Sequence, residues 1–174
     1  MTFSVSNFKS ALGSGTRANL FDITISIANT AFTTTSEFNS LAKASTLPAS
    51  TVGLIEVPHL GGRKLKVAGD RTFAEWTVTL MSDSAFKLRT ALEDYQSVLL
   101  TLSSESADTI GNRGILNRST ITVKQLADNG DTLRTYVLND AFPTEISAID
   151  LSYDTRDAIE EFTVTWAYDY YTVS

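Results

Sequence analysis

The sequence contains no cysteine and only one histidine, His59. Without cysteine, neither a disulfide nor a thiolate metal site can hold the fold, and the redox compartment cannot be inferred. A lone histidine excludes a metal site with two histidine ligands. His59 could act as a catalytic base, but its position beside Pro58 and Gly61-Gly62 is more typical of an exposed hairpin tip.

The sequence also lacks long apolar runs. Its apolar runs, such as residues 98–100, are only a few residues long. No segment can therefore span a bilayer, and we expect no membrane anchor. The first nine residues lack the basic and apolar segments of a secretory signal, so cytoplasmic synthesis is expected. Basic residues are outnumbered, with 14 Lys and Arg against 20 Asp and Glu. This balance argues against nonspecific nucleic-acid binding, which needs clustered cations to displace counterions.

The composition is that of an ordinary globular protein, with 43% apolar and 20% charged residues. A chain of 174 residues can build one good core, so residues 1–174 are predicted to form a single domain.

Apolar and polar residues alternate in three segments, which predicts three half-buried strands. They lie at residues 21–27, 75–80 and 159–170. Two hairpins are also predicted. One joins residues 52–57 to 63–67 through the Gly61-Gly62 turn, and the other joins 121–126 to 132–138 through Asn129-Gly130. A further short strand is expected at residues 149–153.

One clear helix is predicted from Ser84 to about Leu99, with Asp83 or Ser84 as its cap. Helical spacing places four apolar residues on one face: Leu88, Leu92, Tyr95 and Leu99. A short helix is possible near residues 8–12, and residues 103–117 are predicted to form a loop. Many strands and one helix indicate a mainly β domain of sandwich or barrel-like type.

Two charged motifs could carry chemistry. Asp70-Arg71 could combine an acid with a guanidinium, but no second carboxylate or nucleophile lies nearby in sequence, so a structural ion pair is favoured. Residues 128–131 lack the remaining ligands of a calcium loop, which favours a plain turn.

Several aromatic residues could stack on a sugar or a base, as in a carbohydrate-binding module. Alternation places most of them on the apolar face, which favours core packing. They are Trp76, Trp166, Tyr168, Tyr170 and Tyr171. We therefore predict no enzymatic activity, cofactor site or metal site.

The polar faces of the predicted strands contain carboxylates and hydroxyls but no Lys or Arg. Such faces forgo stabilising cross-strand Lys–Glu pairs. One reason would be to face a passing polyanion without binding it, because DNA carries one charge per roughly 1.7 Å of axis. A solvated acidic face is the alternative interpretation. The residues concerned are Asp22, Thr24, Ser26, Glu75, Thr77, Thr79, Asp150, Ser152, Asp154, Glu161, Thr163, Thr165 and Asp169.

Several separated motifs together resemble the inner tail tube proteins of contractile-tailed bacteriophages. They are Arg17-Ala18-Asn19-Leu20-Phe21, Ala44-Ser45-Thr46-Leu47-Pro48, residues 63–83, Asp140-Ala141-Phe142-Pro143-Thr144, and residues 162–170. The resemblance implies hexameric rings whose strands continue into one shared barrel around a channel. It also implies stacking of rings into a tube beneath a sheath, assembly in the host cytoplasm and a place in the virion.

Partners implied by this resemblance are further copies of the chain, the tail sheath protein, baseplate and terminator proteins, and DNA that passes without specific binding. Strand-face residues predicted to line the channel are Asp22, Thr24, Ser26, Glu75, Thr77, Thr79, Glu161, Thr163, Thr165 and Asp169. The resemblance further implies that the first hairpin and a turn at residues 68–72 reach neighbouring subunits. The contact residues expected there are Val57, His59, Arg63, Lys64, Gly69, Asp70 and Arg71. The inner tube of a type VI secretion or related injection system is the nearest alternative.

Overall fold

The computed structural model describes residues 4–13, 15–27, 35–100, 118–154 and 158–174. Within them, no helix is long and apolar enough to cross a membrane. The helices are α1 (Val5–Leu12), α2 (Thr35–Leu41) and α3 (Lys87–Leu100). The strands are β1 (Phe21–Ile27), β2 (Ala42–Ser45), β3 (Ser50–Pro58), β4 (Lys64–Phe73), β5 (Trp76–Met81), β6 (Ser119–Leu126), β7 (Thr132–Ile146), β8 (Glu161–Ala167) and β9 (Tyr170–Val173). The predicted mainly β class is confirmed, and the described residues form no closed barrel.

The longest strand, β7, joins two half-sheets. Its first part pairs with β6 and β9, and its last part pairs with β8. Asp140, at the junction, has a positive φ of 58°, so the strand bends there and passes from one half-sheet to the other. The first half-sheet consists of β1, β6, β7 and β9, and the second consists of β7, β8, β5 and β2.

The apolar sides of both half-sheets contribute to one buried cluster, which α2 and α3 also enter. Trp166 lies at its centre, with Phe38 of α2 edge-on at 6.1 Å and Tyr95 of α3 at 6.4 Å between ring centroids. Burial in this cluster raises the pKa of the Tyr95 hydroxyl. The period-two prediction for β1, β5 and β8 is confirmed, because their apolar positions alone are buried. The buried residues of these strands include Ile23, Ile25, Trp76, Val78, Leu80, Phe162, Val164 and Trp166.

The main helix begins at Lys87 rather than at the predicted Ser84. Residues 83–86 form a turn closed by a hydrogen bond from Phe86 N–H to the Asp83 carbonyl. The Asp83 carboxylate then accepts from the backbone N–H groups of Lys87 and Leu88, at 3.2 and 3.3 Å. Asp83 is therefore the helix cap. It is one of the two cap residues, Asp83 or Ser84, that the sequence predicts. The predicted apolar face of the helix is buried as expected.

The strand expected at residues 149–153 is not formed. Leu151 is 80% exposed and Tyr153 is 100% exposed, and β8 already pairs with β5 and β7 on its two sides. An alternating segment without a free neighbour has no ladder to join. The preceding strand, β7, instead continues past its predicted end to Ile146.

Three further differences concern shorter elements. Strand β2 and helix α2 were not predicted. The last predicted strand is divided into β8 and β9 by a bend at Tyr168-Asp169. The expected short helix near residues 8–12 is present as α1 and begins earlier, at Val5. The predicted loop at residues 103–117 lies outside the described residues.

Candidate assembly surfaces

Strands β3 and β4 form a two-stranded arm, here defined as residues 50–73, which continues the edge of the second half-sheet. Ser45 pairs with Val78 in the β2–β5 ladder, and Ser50 pairs with Phe73 at the start of the arm. These two pairs share one register, and Ala74 N–H donates to the Ala49 carbonyl between them. The arm and the β2–β5 pair are therefore one long antiparallel ribbon.

One face of the arm is apolar and faces solvent. The register places Ile55 opposite Val67 and Val57 opposite Leu65. These four side chains are between 43% and 61% exposed. Exposed apolar side chains grouped on one strand face are typical of surfaces that bind a partner, so this face of the arm is a candidate contact surface.

The other face of the arm carries charged side chains, and the tip projects into solvent. Lys66 lies directly opposite Glu56 in the ladder, and Lys64, opposite Pro58, forms an ion pair with Glu56. At the tip, Leu60 is 96% exposed. Gly61 and Gly62 have φ angles of 95° and 79°, a region that favours glycine and keeps the turn narrow. His59 lies here as predicted, with its backbone N–H bonded to the Arg63 carbonyl.

The turn predicted at residues 68–72 is instead a bulge within β4. Gly53 faces the bulge, and a Cβ on Gly69 would lie 3.2 Å from the Gly53 carbonyl carbon. Glycine at both positions lets the two backbones approach closely while one strand accommodates an extra residue. The chain therefore continues as a strand through Gly69 and Asp70 instead of turning.

Arg71 anchors the base of the arm to the last strand of the body. Its guanidinium donates to the hydroxyls of Ser50, at 3.0 Å, and Tyr171, at 3.1 Å. It also lies 5.0 Å from the ring centroid of Phe73 and 5.1 Å from that of Tyr171. The hydrogen bond with Ser50, together with that from Arg71, lowers the pKa of the Tyr171 hydroxyl. The structural ion pair expected between Asp70 and Arg71 is not formed, because the Arg71 side chain contacts the body instead.

The predicted channel-lining residues lie in two separate places. Asp22, Thr24 and Ser26 are on the polar side of the first half-sheet, whereas the residues of β5 and β8 are on the polar side of the second. Because the apolar sides share one core, the two polar sides diverge from each other. Glu75 is exposed in the link between β4 and β5, and Asp169 lies in the bend between β8 and β9. On the second half-sheet, Thr77 pairs with Thr165 and Thr79 with Thr163, whereas Glu161 pairs with Met81.

The expectation that these faces forgo ion pairs with cations is wrong. Asp22 lies opposite Lys124 of β6, with 3.5 Å between charged atoms. Glu161 pairs with Lys43 of β2 at 2.5 Å, and Asp169 pairs with Arg118 at 2.6 Å. The cations belong to β2, β6 and the residue before β6. They therefore lie outside the segments whose alternation predicted the polar faces. The central hydroxyls of the second half-sheet do lie together, with Thr79 Oγ1 3.5 Å from Thr163 Oγ1.

An open cleft that sequence reasoning missed lies beside the described residues that link β7 to β8. The cleft has a volume of about 580 Å³ and is lined by residues 148–153 and 158–161. Asp150 and Ser152, expected on a strand face, are among its lining residues. The only signal in the sequence was the closeness of apolar residues to carboxylates, as in Ile149-Asp150-Leu151 and Ile159-Glu160.

The predicted contact residues are brought together more closely than the predicted channel residues. All seven lie on the arm or at its tip. They are Val57, His59, Arg63, Lys64, Gly69, Asp70 and Arg71. Among the described residues, no cluster of three or more His, Asp and Glu side chains is placed to hold a metal ion.

Comparison with known proteins identifies the family. The family model for phage tail tube proteins matches residues 4–174. The tail tube protein gp19 of Enterobacteria phage T4 is 33% identical over 160 residues, covering 91% of this chain and 92% of that protein. The tail tube protein gp19 of Enterobacteria phage T6 has the same identity and coverage.

Two solved structures contain chains with the same fold. A chain of the sheath–tube complex of an extracellular contractile injection system, PVC, in its extended state has a TM-score of 0.62 at 15% identity and covers 99% of each chain. A chain of the anti-feeding prophage baseplate has a TM-score of 0.62 at 12% identity, covering 91% of this chain and 94% of that one. The resemblance drawn from the sequence motifs is confirmed, and this chain belongs to the phage tail tube protein family.

Proposed function

We propose that this chain forms the inner tail tube of a contractile phage tail by closing into hexameric rings that stack. The observation that carries this proposal is the arm, which continues a half-sheet beyond the body and exposes an apolar face. Burying that face against other copies of the chain would remove about 25 cal/mol of unfavourable hydration per Å² of apolar area.

Open strand edges give the ring its second source of stability. The four-residue β2 ends the second half-sheet, and β1 ends the first. An unpaired edge is a template for another chain, and closing strands into a barrel removes it. Pairing between the ribbon of one copy and the half-sheet of the next therefore joins the six half-sheets into the shared barrel.

The polar side of the second half-sheet lines the channel in this arrangement. It belongs to the sheet that the arm extends, and its centre is formed by four threonines: Thr77, Thr79, Thr163 and Thr165. Hydroxyls carry no net charge and release no counterions from phosphates, so they do not hold DNA as an array of Lys or Arg would. Because the two polar sides diverge, Asp22, Thr24 and Ser26 of the first half-sheet then face away from the channel.

The partners of the tube follow from the same assembly. Outer surfaces of the rings contact the tail sheath protein, and the end rings contact baseplate and terminator proteins. The protein is a structural component of the virion without catalytic activity, and DNA is its cargo. The 33% identity to phage tail tube proteins favours this role over an injection tube with protein cargo.

Electron microscopy of the purified chain tests the proposal. We expect rings or tubes with sixfold symmetry for the natural sequence. Ile55→Asp should abolish them, because it places a charge on the apolar face of the arm. The matched control is Leu133→Asp, at a position that is also about half exposed but lies at the start of β7, away from the arm. A chain that stays monomeric at every concentration, or an Ile55→Asp variant that assembles normally, would refute the proposal.

A further inference from the structure

Cations on the arm exceed the carboxylates available to them. Lys64 pairs with Glu56, whereas Arg63 and Lys66 have no carboxylate within 4 Å in the described part of the chain. Leu60, at the tip just before these two cations in the chain, is 96% exposed to solvent. The end of the arm is therefore an apolar side chain bordered by unpaired positive charge.

The cleft beside the residues that link β7 to β8 carries the opposite charge. It also exposes large apolar side chains. Leu151, Tyr153 and Ile159 are among the most exposed large apolar side chains of the protein. Asp150 and Glu160, which also line the cleft, form no ion pair within the residues that the structure describes. An open cleft that exposes both apolar side chains and unpaired carboxylates is suited to an apolar group carried on a basic segment.

We propose that the tip of the arm of one copy binds in the cleft of a second copy. Leu60 enters among the apolar residues of the cleft, and Arg63 and Lys66 pair with its carboxylates. The inference rests on the proposed function, because it specifies which surface of the neighbouring copy receives the arm. The evidence for it is that the tip and the cleft carry opposite charges and that both expose apolar side chains in the single chain.

The contact is heterologous, since tip and cleft are different surfaces of one chain. Such a contact leaves a free tip at one end and a free cleft at the other, so it propagates from copy to copy. It is therefore compatible with closure into a ring and with addition of further rings. Gly61 and Gly62 carry no side chains that would widen the tip, and the cleft that receives it has a volume of about 580 Å³.

Cysteine crosslinking provides a direct test, because the natural chain has no cysteine. The double variant Leu60→Cys with Ile159→Cys, assembled and then oxidised, should give a ladder of covalent dimers and higher oligomers. The matched control combines Leu60→Cys with Leu133→Cys. Leu133 is also exposed but does not line the cleft. A disulfide requires Cα atoms within about 7 Å, so only residues in direct contact are joined.

The outcomes separate this inference from the proposed function. Rings or tubes that form normally but give no ladder with the cleft pair would overturn the inference and leave the tube function in place. A ladder of equal strength with the control pair would also overturn it. Failure of the natural chain to assemble at all would instead count against the tube function.

Charge exchange is an independent test that does not depend on cysteine geometry. Arg63→Glu with Lys66→Glu should raise the critical concentration for assembly by roughly tenfold, because like charges then face each other. Asp150→Lys with Glu160→Lys should do the same. Combining all four substitutions should restore assembly to near the natural concentration. No restoration in the combined variant would show that the tip and the cleft do not meet.

Discussion

Arg71 and Tyr171 meet at the base of the arm although 100 positions separate them in the chain. The guanidinium both donates to the Tyr171 hydroxyl and lies over its ring, 5.1 Å from the centroid. A planar cation held by one hydrogen bond and one ring contact at the same residue restricts the direction in which the arm leaves the body.

We predict that Arg71→Glu weakens assembly more than folding. The substitution removes two hydrogen bonds and two ring contacts at the exposed base of the arm, which should lower the free energy of unfolding by about 1–2 kcal/mol. Assembly should suffer more, because every arm in a ring would lose its direction. Thermal unfolding and electron microscopy measure the two effects.

Arg134→Glu is the control for Arg71, since Arg134 is an exposed arginine on a different hairpin. It should change neither property appreciably. Normal tails from Arg71→Glu chains would contradict the prediction.

Thr163→Lys is predicted to slow DNA passage while leaving tubes intact. Thr163 lies on the polar side of the second half-sheet, beside Thr79, and ring symmetry multiplies each added cation into an array that binds phosphates. We expect a slowing of roughly tenfold at low salt, diminishing as salt is raised. Thr77→Lys should act in the same way. DNA release from particles assembled with the variant chain measures the effect.

Thr24→Lys is the matched control for the channel prediction. It makes the same substitution on the polar side of the first half-sheet, where Thr24 pairs with Thr122. DNA release should be unchanged. Slow release with Thr24→Lys and normal release with Thr163→Lys would assign the channel to the other half-sheet.

Asp83→Ala should destabilise the protein by removing the cap of α3. Loss of a capping carboxylate costs about 1 kcal/mol, which corresponds to a fall in melting temperature of roughly 2–4 °C for a domain of this size. Asp94→Ala, at an exposed position within the same helix, should change the free energy of unfolding by less than about 0.5 kcal/mol.

The effect of Asp83→Ala should also depend on pH. Burial opposes ionisation of Asp83, but backbone N–H donors, including those of Lys87 and Leu88, outweigh it and lower the pKa below the ordinary value of 3.8. The stabilisation is therefore fully present above that value and is lost as the pH falls through the folded-state pKa. Urea unfolding should show a constant difference between the two chains from pH 5 to 7 and a shrinking one below about pH 4. A difference that grew on acidification would contradict this.

Phe38→Ala should lower the free energy of unfolding by about 3–5 kcal/mol. Phe38 is fully buried and meets Trp166 edge-on in the core, so its removal leaves a cavity against both half-sheets. Phe86→Ala, at a position that is 42% exposed, should cost less than about 1 kcal/mol. Similar losses for the two variants in denaturant unfolding would show that α2 is not part of the cooperative core.

Sequence reasoning succeeded where one face of a strand is buried. In β1, β5 and β8 the buried face repeats every second residue, so the pattern is visible without knowledge of the partners. It failed at residues 149–153, where the same pattern occurs but no neighbouring strand is available. It also missed β2, whose four residues are too few to show a period, and the cations Lys43 and Lys124, whose carboxylate partners are more than 100 positions away.

Alternation, turn residues and family motifs therefore determined, without any coordinates, that this is a mainly β tube protein with a glycine-tipped hairpin and a capped helix. These features depend on neighbours in the chain. Only the tertiary structure decided that the hairpin is an exposed arm anchored by Arg71, that the polar strand faces diverge, and that an acidic cleft lies beside the residues linking β7 to β8. Each depends on strand register and on contacts between distant segments, which local sequence patterns do not specify.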